Sequence, residues 1–287
     1  MTHYKSRRLM MPAIIVAVAT MAMPAITQAN TIVYDTFTAS KVTAVPGSTP
    51  DTGPAGATWL QNGYAGYQDN YTGGTATLGA DAGNGISLSG VTATSLTSLT
   101  LSDSFNLTND SNSGQNANYS ANSGHGAGLG FYSSVQATSH AWNNFTGLRV
   151  TANGYIVLAT SSGNTVNTDT DLASSQVSTS SSFGTTTHTL SYTVNIGATS
   201  NWLSNIILDG NNVTGDLTLT SITNPFTTAA SRYFGFYNST TGYQSNVTGA
   251  YETVGLSTAA VPEPASLGIL AVGAAGLLLA GRRKLRV

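Results

Sequence analysis

The chain has 287 residues, no cysteine and only 8% charged residues, far below the quarter usual in globular domains. Of its ten Lys and Arg, three (Lys5, Arg7, Arg8) lie near the start and four at the end; Lys41, Arg149 and Arg232 remain against eleven Asp and Glu between residues 30 and 261, a balance of about −8. This argues against a nucleic-acid partner, because neutralising phosphates takes clustered cations. Without cysteine, stability must come from a buried core and not from disulfides.

Residues 1–29 have the pattern of a secretory signal peptide: basic Lys5, Arg7 and Arg8, an apolar run over residues 9–19, and Thr27-Gln28-Ala29 as a small-residue cleavage site. Cleavage between Ala29 and Asn30 would start the mature chain at Asn30 and makes the Sec translocon and signal peptidase expected partners. About 230 residues follow before the tail, enough for one all-β domain with its own core.

This middle region reads as an all-β, two-sheet antiparallel sandwich over residues 30–258. Strands are expected at residues 31–37, 86–88, 96–107 and 129–133. Residues 147–159 hold Asn153-Gly154 between two apolar runs, a hairpin signal because both turn positions take positive φ. In residues 188–196, Leu190, Tyr192, Val194 and Ile196 alternate with polar residues, so one face is buried and the other wet. A second hairpin turns at Asp209-Gly210, and further strands are expected at 217–222, 233–237 and 251–256. Residues 46–85, 109–128 and 161–182 are rich in Gly, Asn, Ser and Thr and read as long loops.

The chain closes on Val261-Pro262-Glu263-Pro264, an uncharged run over residues 265–281, and Arg282, Arg283, Lys284 and Arg286. Seventeen residues at 1.5 Å rise span roughly 25 Å as a helix, the short end of what crosses a bilayer. The cations at one end place that end in the cytoplasm and everything before Pro262 outside. The two prolines deny the backbone helix or sheet and leave it accessible.

The order Pro-Glu-Pro, apolar helix, Arg-rich end resembles the PEP-CTERM sorting signal of Gram-negative bacteria, here over residues 259–287. The resemblance implies handling by an exosortase, a membrane-embedded protease or transpeptidase that cuts near Pro262, Glu263 and Pro264. The protein would be an inner-membrane anchored precursor first, then a component of the cell surface or extracellular matrix. A second resemblance rests on Asp35-Thr-Phe37, Gly130-Phe-Tyr132, the hairpin at 148–158, residues 188–196, Leu208 to Val213 and Tyr233 to Tyr237. It is to the concanavalin A-like lectin/glucanase jelly roll and implies that the first and last strands share a sheet.

Little in the sequence carries catalytic chemistry. Glycoside hydrolysis needs paired carboxyls, yet Glu252 is the only glutamate between residues 30 and 261. The laminarinase-type strand with two glutamates is therefore absent, and no catalytic residue is assigned. Asp169 and Asp171, with Asn164 and Asn167 nearby, read as a calcium-binding loop or as a solvated acidic loop; no other cofactor is expected. Asp103 and Asp209 fit turns. His125, His140 and His188 lack metal-ligand spacing, and His188 shares a strand face with Leu190.

Aromatic residues are more informative. Trp59, Tyr64 and Tyr67 lie close to Asp69, and Trp142 precedes Asn143; flat rings beside amides and carboxylates suit a pyranose, with its apolar face and polar rim. The competing reading is that these rings pin long loops to the sandwich. These features point to an exported, non-enzymatic surface or matrix protein, and the family resemblance implies that it associates with exopolysaccharide as a glycan-binding or adhesive component. The alternatives are a structural spacer or self-associating protein and, third, a polysaccharide-cleaving enzyme.

Overall fold

The computed structural model describes residues 29–37, 44–63, 70–72, 74–78, 82–91, 97–108, 126–136, 144–161, 169–179, 186–239 and 248–258. Apart from Ala29, these fall in one compact unit, Asn30–Ala259. The expected signal segment and the membrane helix at 265–281 lie outside the described residues. Among the described residues no helix is long and apolar enough to cross a membrane.

Two antiparallel sheets form a sandwich. The eight-stranded sheet runs β13 (Asn211–Asn212), β12 (Leu203–Leu208), β11 (Thr187–Asn195), β6 (Ser98–Thr108), β15 (Thr248–Thr258), β4 (Thr75–Leu78) and β3 (Asn70–Thr72), with β1 (Thr31–Asp35) also on β15. The seven-stranded sheet runs β10 (Asp169–Gln176), β9 (Tyr155–Ser161), β8 (Phe145–Thr151), β7 (Gly126–Tyr132), β14 (Tyr233–Ser239), β5 (Ala82–Ser87) and β2 (Trp59–Gly63). The first and last strands are neighbours, as the jelly-roll resemblance implies, with Val33 opposite Leu256 and Asp35 opposite Val254.

Period-two alternation explains the core. Leu99, Leu101, Phe105 and Leu107 of β6, Leu190, Tyr192 and Val194 of β11, and Leu148 and Val150 of β8 all point between the sheets. On β15 both Tyr251 and Val254 are buried, which strict alternation forbids; a register shift between Tyr251 and Thr253 restores the inward face. Two tyrosines tie the layers together: the Tyr192 hydroxyl donates to the Leu129 carbonyl at 2.5 Å and that of Tyr251 to the Tyr237 carbonyl at 2.6 Å. Both hairpins form, with Asp209 at φ 51° and Gly210 at φ 78° in one, while in the other Gly154 takes φ 75° and Asn153, contrary to expectation, does not take positive φ.

Several expectations are corrected. Residues 46–85 are not one loop, since they supply β2, β3, β4 and part of β5, and residues 161–182 contain β10. These strands are short or rich in Gly, Ser and Thr, and each forms through ladder bonds to a neighbour, so no hydrophobic period announces them. Residues 217–222 are not a strand: a single 3₁₀ turn, Thr214–Asp216, precedes irregular chain whose Leu217, Leu219 and Ile222 still pack on the core.

Asp103 is not a turn residue either. It sits mid-strand in β6, opposite Leu190 and Val254, with its side chain in the core beside Phe105 and Leu101. Among the described residues its Oδ1 has no hydrogen-bond partner. Burial pushes its carboxyl well above the usual carboxylate range, against a hydrogen bond with the Leu190 backbone. A native state that keeps a proton the unfolded chain loses is most stabilised below about pH 4 and forfeits that stability as pH rises. The urea midpoint of the domain is therefore expected to fall with rising pH above that value, and Asp103→Asn, which stays neutral, to flatten the slope.

Candidate functional site

The outer face of the seven-stranded sheet is unusual in composition. Because Ala127, Leu129 and Phe131 of β7, Phe234 and Phe236 of β14 and Leu148 and Val150 of β8 point inward, their alternates point out. Those alternates include Gly83, Gly85, Gly126, Gly128, Gly130, Gly147 and Gly235. On this floor of missing side chains lie Tyr132, Phe145 and Tyr237, a second buried cluster with Val135 and Tyr233 packed on it.

The rings need the glycines. A Cβ on Gly128 would lie 2.5 Å from Tyr237 Cζ, one on Gly235 2.6 Å from Tyr132 Cε2, and one on Gly147 2.6 Å from Phe145 Cζ. Phe145 meets Tyr237 edge-on at 4.6 Å between centroids and Tyr132 at 5.3 Å. Sequence reading missed this face. The signal was present as glycine at period two, Gly83-Asn-Gly85 and Gly126-Ala-Gly128-Leu-Gly130, on strands whose other positions are mostly apolar.

At one side of the floor, residues 133–136 cross back over the sheet after β7, and Val135 Cγ2 would lie 2.7 Å from a Cβ on Gly85. This crossing ends in a hydrogen-bonded corner. The Gln136 amide donates to Asn62 Oδ1 at 2.9 Å, and the Gly63 amide donates to the Gln136 carbonyl at 3.2 Å. The Ser133 amide donates to the carbonyl of Asn144, whose φ is 61°.

β2 ends at Gly63, the residue before 64–69, and Gln136 and Asn144 flank residues 137–143 in the chain. Tyr64, Tyr67, Asp69, Trp142 and Asn143 lie outside the described residues. The tertiary structure brings the anchors of their two segments together at Gln136, although the segments are about 75 positions apart in sequence.

Trp59 does not belong to that face. It is fully buried between the sheets, its indole N–H donating to Asp35 Oδ2 at 2.8 Å while Asp35 Oδ1 accepts from the Phe37 amide at 2.9 Å. Phe236 meets its ring edge-on at 5.1 Å, and Phe37 and Phe234 lie at 6.4 and 6.3 Å. Position 59 begins β2 opposite Ile86, which turns the ring inward. No sugar reaches it there.

The acidic pair also changes meaning. Asp169 and Asp171 lie on edge strand β10, paired with Ser161 and Ala159 of β9, and not on a loop. Asp171 forms an ion pair with Arg149 at 3.2 Å; burial raises its carboxyl pKa and the guanidinium opposes that rise. Asp171 is thus committed to a buried guanidinium, while Asn164 and Asn167 lie outside the described residues. Among the described residues no group of three or more His, Cys, Asp or Glu could hold a metal ion.

His188 is buried, with Nδ1 2.7 Å from Asp209 Oδ2 and Nε2 3.1 Å from Thr186 Oγ1, and its ring 5.8 Å from that of Phe105. Asp209 sits in the turn at φ 51°, but its Oδ1 accepts from the Thr189 amide on the neighbouring strand, 20 positions away, and not from local backbone as expected. Glu252 accepts from Ser104 and Thr187 hydroxyls on the outer face of the other sheet. Ala29 and Asn30 are exposed at the start of β1. Pro262, Glu263, Pro264, Arg282, Arg283 and Lys284 lie outside the described residues.

No curated protein sequence matches the chain. Similar solved structures include the carbohydrate recognition domain of Emp47p, 12% identical over 75% of this chain and 93% of that chain with a TM-score of 0.43. The Ca2+- and mannose-bound exoplasmic/lumenal domain of VIP36 is 13% identical over 82% and 92%, TM-score 0.45. A botulinum neurotoxin DC binding domain, solved with rat synaptotagmin II, is 12% identical over 83% and 50%, TM-score 0.45. The chain spans about half the length of the toxin chains it matches. These lectin-like β-sandwiches are likenesses of the backbone path alone. The tail is assigned directly: residues 260–284 match the PEP-CTERM protein-sorting motif, the mark of an exported protein anchored through its C-terminus before processing.

Proposed function

We propose that the domain from Asn30 to about Val261 is an exported, non-enzymatic glycan-binding component that associates with exopolysaccharide at the cell surface or in the extracellular matrix of a Gram-negative bacterium. The observation that carries this reading is the corner at Asn62, Gly63 and Gln136, where the segments bearing Tyr64, Tyr67, Asp69 and those bearing Trp142, Asn143 both take root. Rings and amides from two segments anchored together can stack on a pyranose face and bond its hydroxyl rim. With Arg149 paired to Asp171 and a balance of about −8, the polysaccharide that suits this domain is neutral and not anionic. The placement of Asp35, Asp171 and Glu252, each bonded to structural partners, supports a binding role over catalysis.

Retention of residues 30–261 on immobilised exopolysaccharide and on a glycan array tests this. Retention on neutral glycans is expected, falling at least about tenfold in a Tyr67→Ala, Trp142→Ala double variant, since losing two stacking rings costs at least about 1.4 kcal/mol. The urea midpoint should stay unchanged. A folded domain retained on no glycan overturns the reading, and concentration-dependent light scattering without glycan would favour the self-associating spacer.

The precursor in this reading is exported through the Sec translocon, trimmed by signal peptidase, held by residues 265–281, and cut by an exosortase-type membrane protease near Pro262, Glu263 and Pro264. Changing Pro262 and Pro264 together to Ala is expected to leave the protein anchored and uncut in membrane fractions, because the backbone there would regain freedom to continue the helix. Normal processing of that double variant would remove the support for this route.

A further inference from the structure

The corner at Gln136 belongs to the seven-stranded sheet; the outward face of the eight-stranded sheet has a different character. Reading the pairings across five strands puts Tyr34 of β1, Gly255 of β15, Ser102 of β6, Ser191 of β11 and Ile207 of β12 in line. Four strand spacings of about 4.8 Å make this row roughly 19 Å long. Its ends are apolar and open: Tyr34 is 39% exposed and Ile207 37%, two of the three exposed large apolar side chains among the described residues.

Glycine and hydroxyls fill the space between. A Cβ on Gly255 would lie 3.5 Å from Tyr34 Cδ2 and 2.9 Å from Ser102 Oγ, so the ring rests against bare backbone beside that hydroxyl. On one side of the row Thr189, Ser104 and Thr253 are in register, and on the other Thr193, Thr100 and Ser257. Among the described outward positions of β11, β6 and β15 the only charged residue is Glu252, whose oxygens accept from Ser104 at 3.0 Å and Thr187 at 3.4 Å. Soluble surfaces are usually about 25–35% Lys, Arg, Glu and Asp. This one is hydroxyl almost throughout.

We propose that this face is a second glycan-binding surface, which takes an extended, neutral polysaccharide chain laid across the strands from Tyr34 to Ile207. The inference rests on the reading of the domain as glycan-binding and gives it a surface separate from the corner. Each hydroxyl both donates and accepts, as those of a sugar do, and the Tyr34 ring offers an apolar platform on which a pyranose face stacks. Strand spacing is close to the length of one sugar ring in an extended chain, so successive units meet successive strands.

Other occupants fit this face less well. An anionic polymer or lipid surface finds no cation among its described residues. An ordinary protein surface would strip water from charges that the face cannot pair, and a second copy would set hydroxyls against hydroxyls without the apolar centre of a stable interface. Single hydroxyl contacts are weak because water competes for them. A polymer offsets this by making many at once. With one chain on this face and another at the corner, a single domain would bridge two polysaccharide chains.

The test uses the full 287-residue chain in a detergent without a sugar headgroup, with insoluble cellulose and β-mannan as neutral, extended probes. Retention is expected to fall about three- to tenfold in Tyr34→Ala, which loses the ring. It should fall at least about tenfold in Ser102→Lys, which sets a long charged chain in the middle of the row. Both positions face outward, so the urea midpoint should not move. The Tyr67→Ala, Trp142→Ala variant should keep measurable retention and lose it only when Tyr34→Ala and Ser102→Lys are added. If that corner variant alone abolishes retention while the Tyr34 and Ser102 variants bind like the unaltered chain, this surface is overturned and the corner stands. The reverse pattern supports this surface and removes the corner. Retention on neither probe overturns the proposal, and so does a dimer that forms without glycan and is lost in Tyr34→Ala.

Discussion

Trp59→Ala is expected to lower the stability of the domain by about 3–5 kcal/mol, the cost of removing a fully buried large aromatic. For a domain of this size that is a fall of about 6–20 °C in Tm. The ring fills the space between Phe37, Phe234 and Phe236, and its N–H is a donor to Asp35 at the point where β1 ends. Truncation removes packing and a buried hydrogen bond together, and marginal stabilities of about 5–15 kcal/mol leave little reserve. Trp59→Phe separates the two effects. It keeps much of the volume, takes the indole donor from Asp35 Oδ2, and should cost about 1–3 kcal/mol. Urea midpoints of residues 30–261 decide the matter. If Trp59→Ala left stability intact and reduced glycan retention alone, the ring would be a sugar platform and its assignment to the core would fail.

Gly147→Ala is the second large effect, and it tests the floor under the rings. The added methyl would meet the Leu129 carbonyl, Phe145 Cζ at 2.6 Å and Gly130 Cα at 2.7 Å. Two of these are backbone atoms of the neighbouring strand and cannot turn aside, so the strands must separate or the ring must leave its place. Overpacking of this kind costs about 1–3 kcal/mol. Gly215→Ala is the control: nothing lies within 4 Å of its Cβ and its φ is not in the left-handed region, so its effect should stay within about 0.5 kcal/mol. Equal midpoints for the two variants would show that the rings do not rest on the glycines.

Strands with strong internal alternation were legible. Leu190, Tyr192 and Val194 announce β11 because one of its faces is core and the other solvent, and Asn153-Gly154 and Asp209-Gly210 announce hairpins because the turns take positive φ, at Gly154 in the first and at both Asp209 and Gly210 in the second. Edge strands were not: Asn70–Thr72 and Asp169–Gln176 have no apolar period and exist through bonds to a neighbour. For the same reason Asp171 looked like a free loop carboxylate, when the register of β10 on β9 brings it to Arg149. Asp103 misled differently: period two over Leu99, Leu101, Phe105 and Leu107 puts position 103 on the inward face, but its residue type suggested a turn.

Sequence by itself carried the sorting assignment, because the motif that residues 260–284 match is linear and refers to no fold. It determined the class of fold as well, through period two and turn chemistry. Only the tertiary structure decided that Trp59 could not meet a ligand. Trp59 and Tyr64 stand five positions apart, yet the first is turned into the core by its pairing with Ile86, while the second follows Gly63, whose amide is held by Gln136 from a distant strand connection. Burial is a property of what packs against a residue, and long-range pairing sets that.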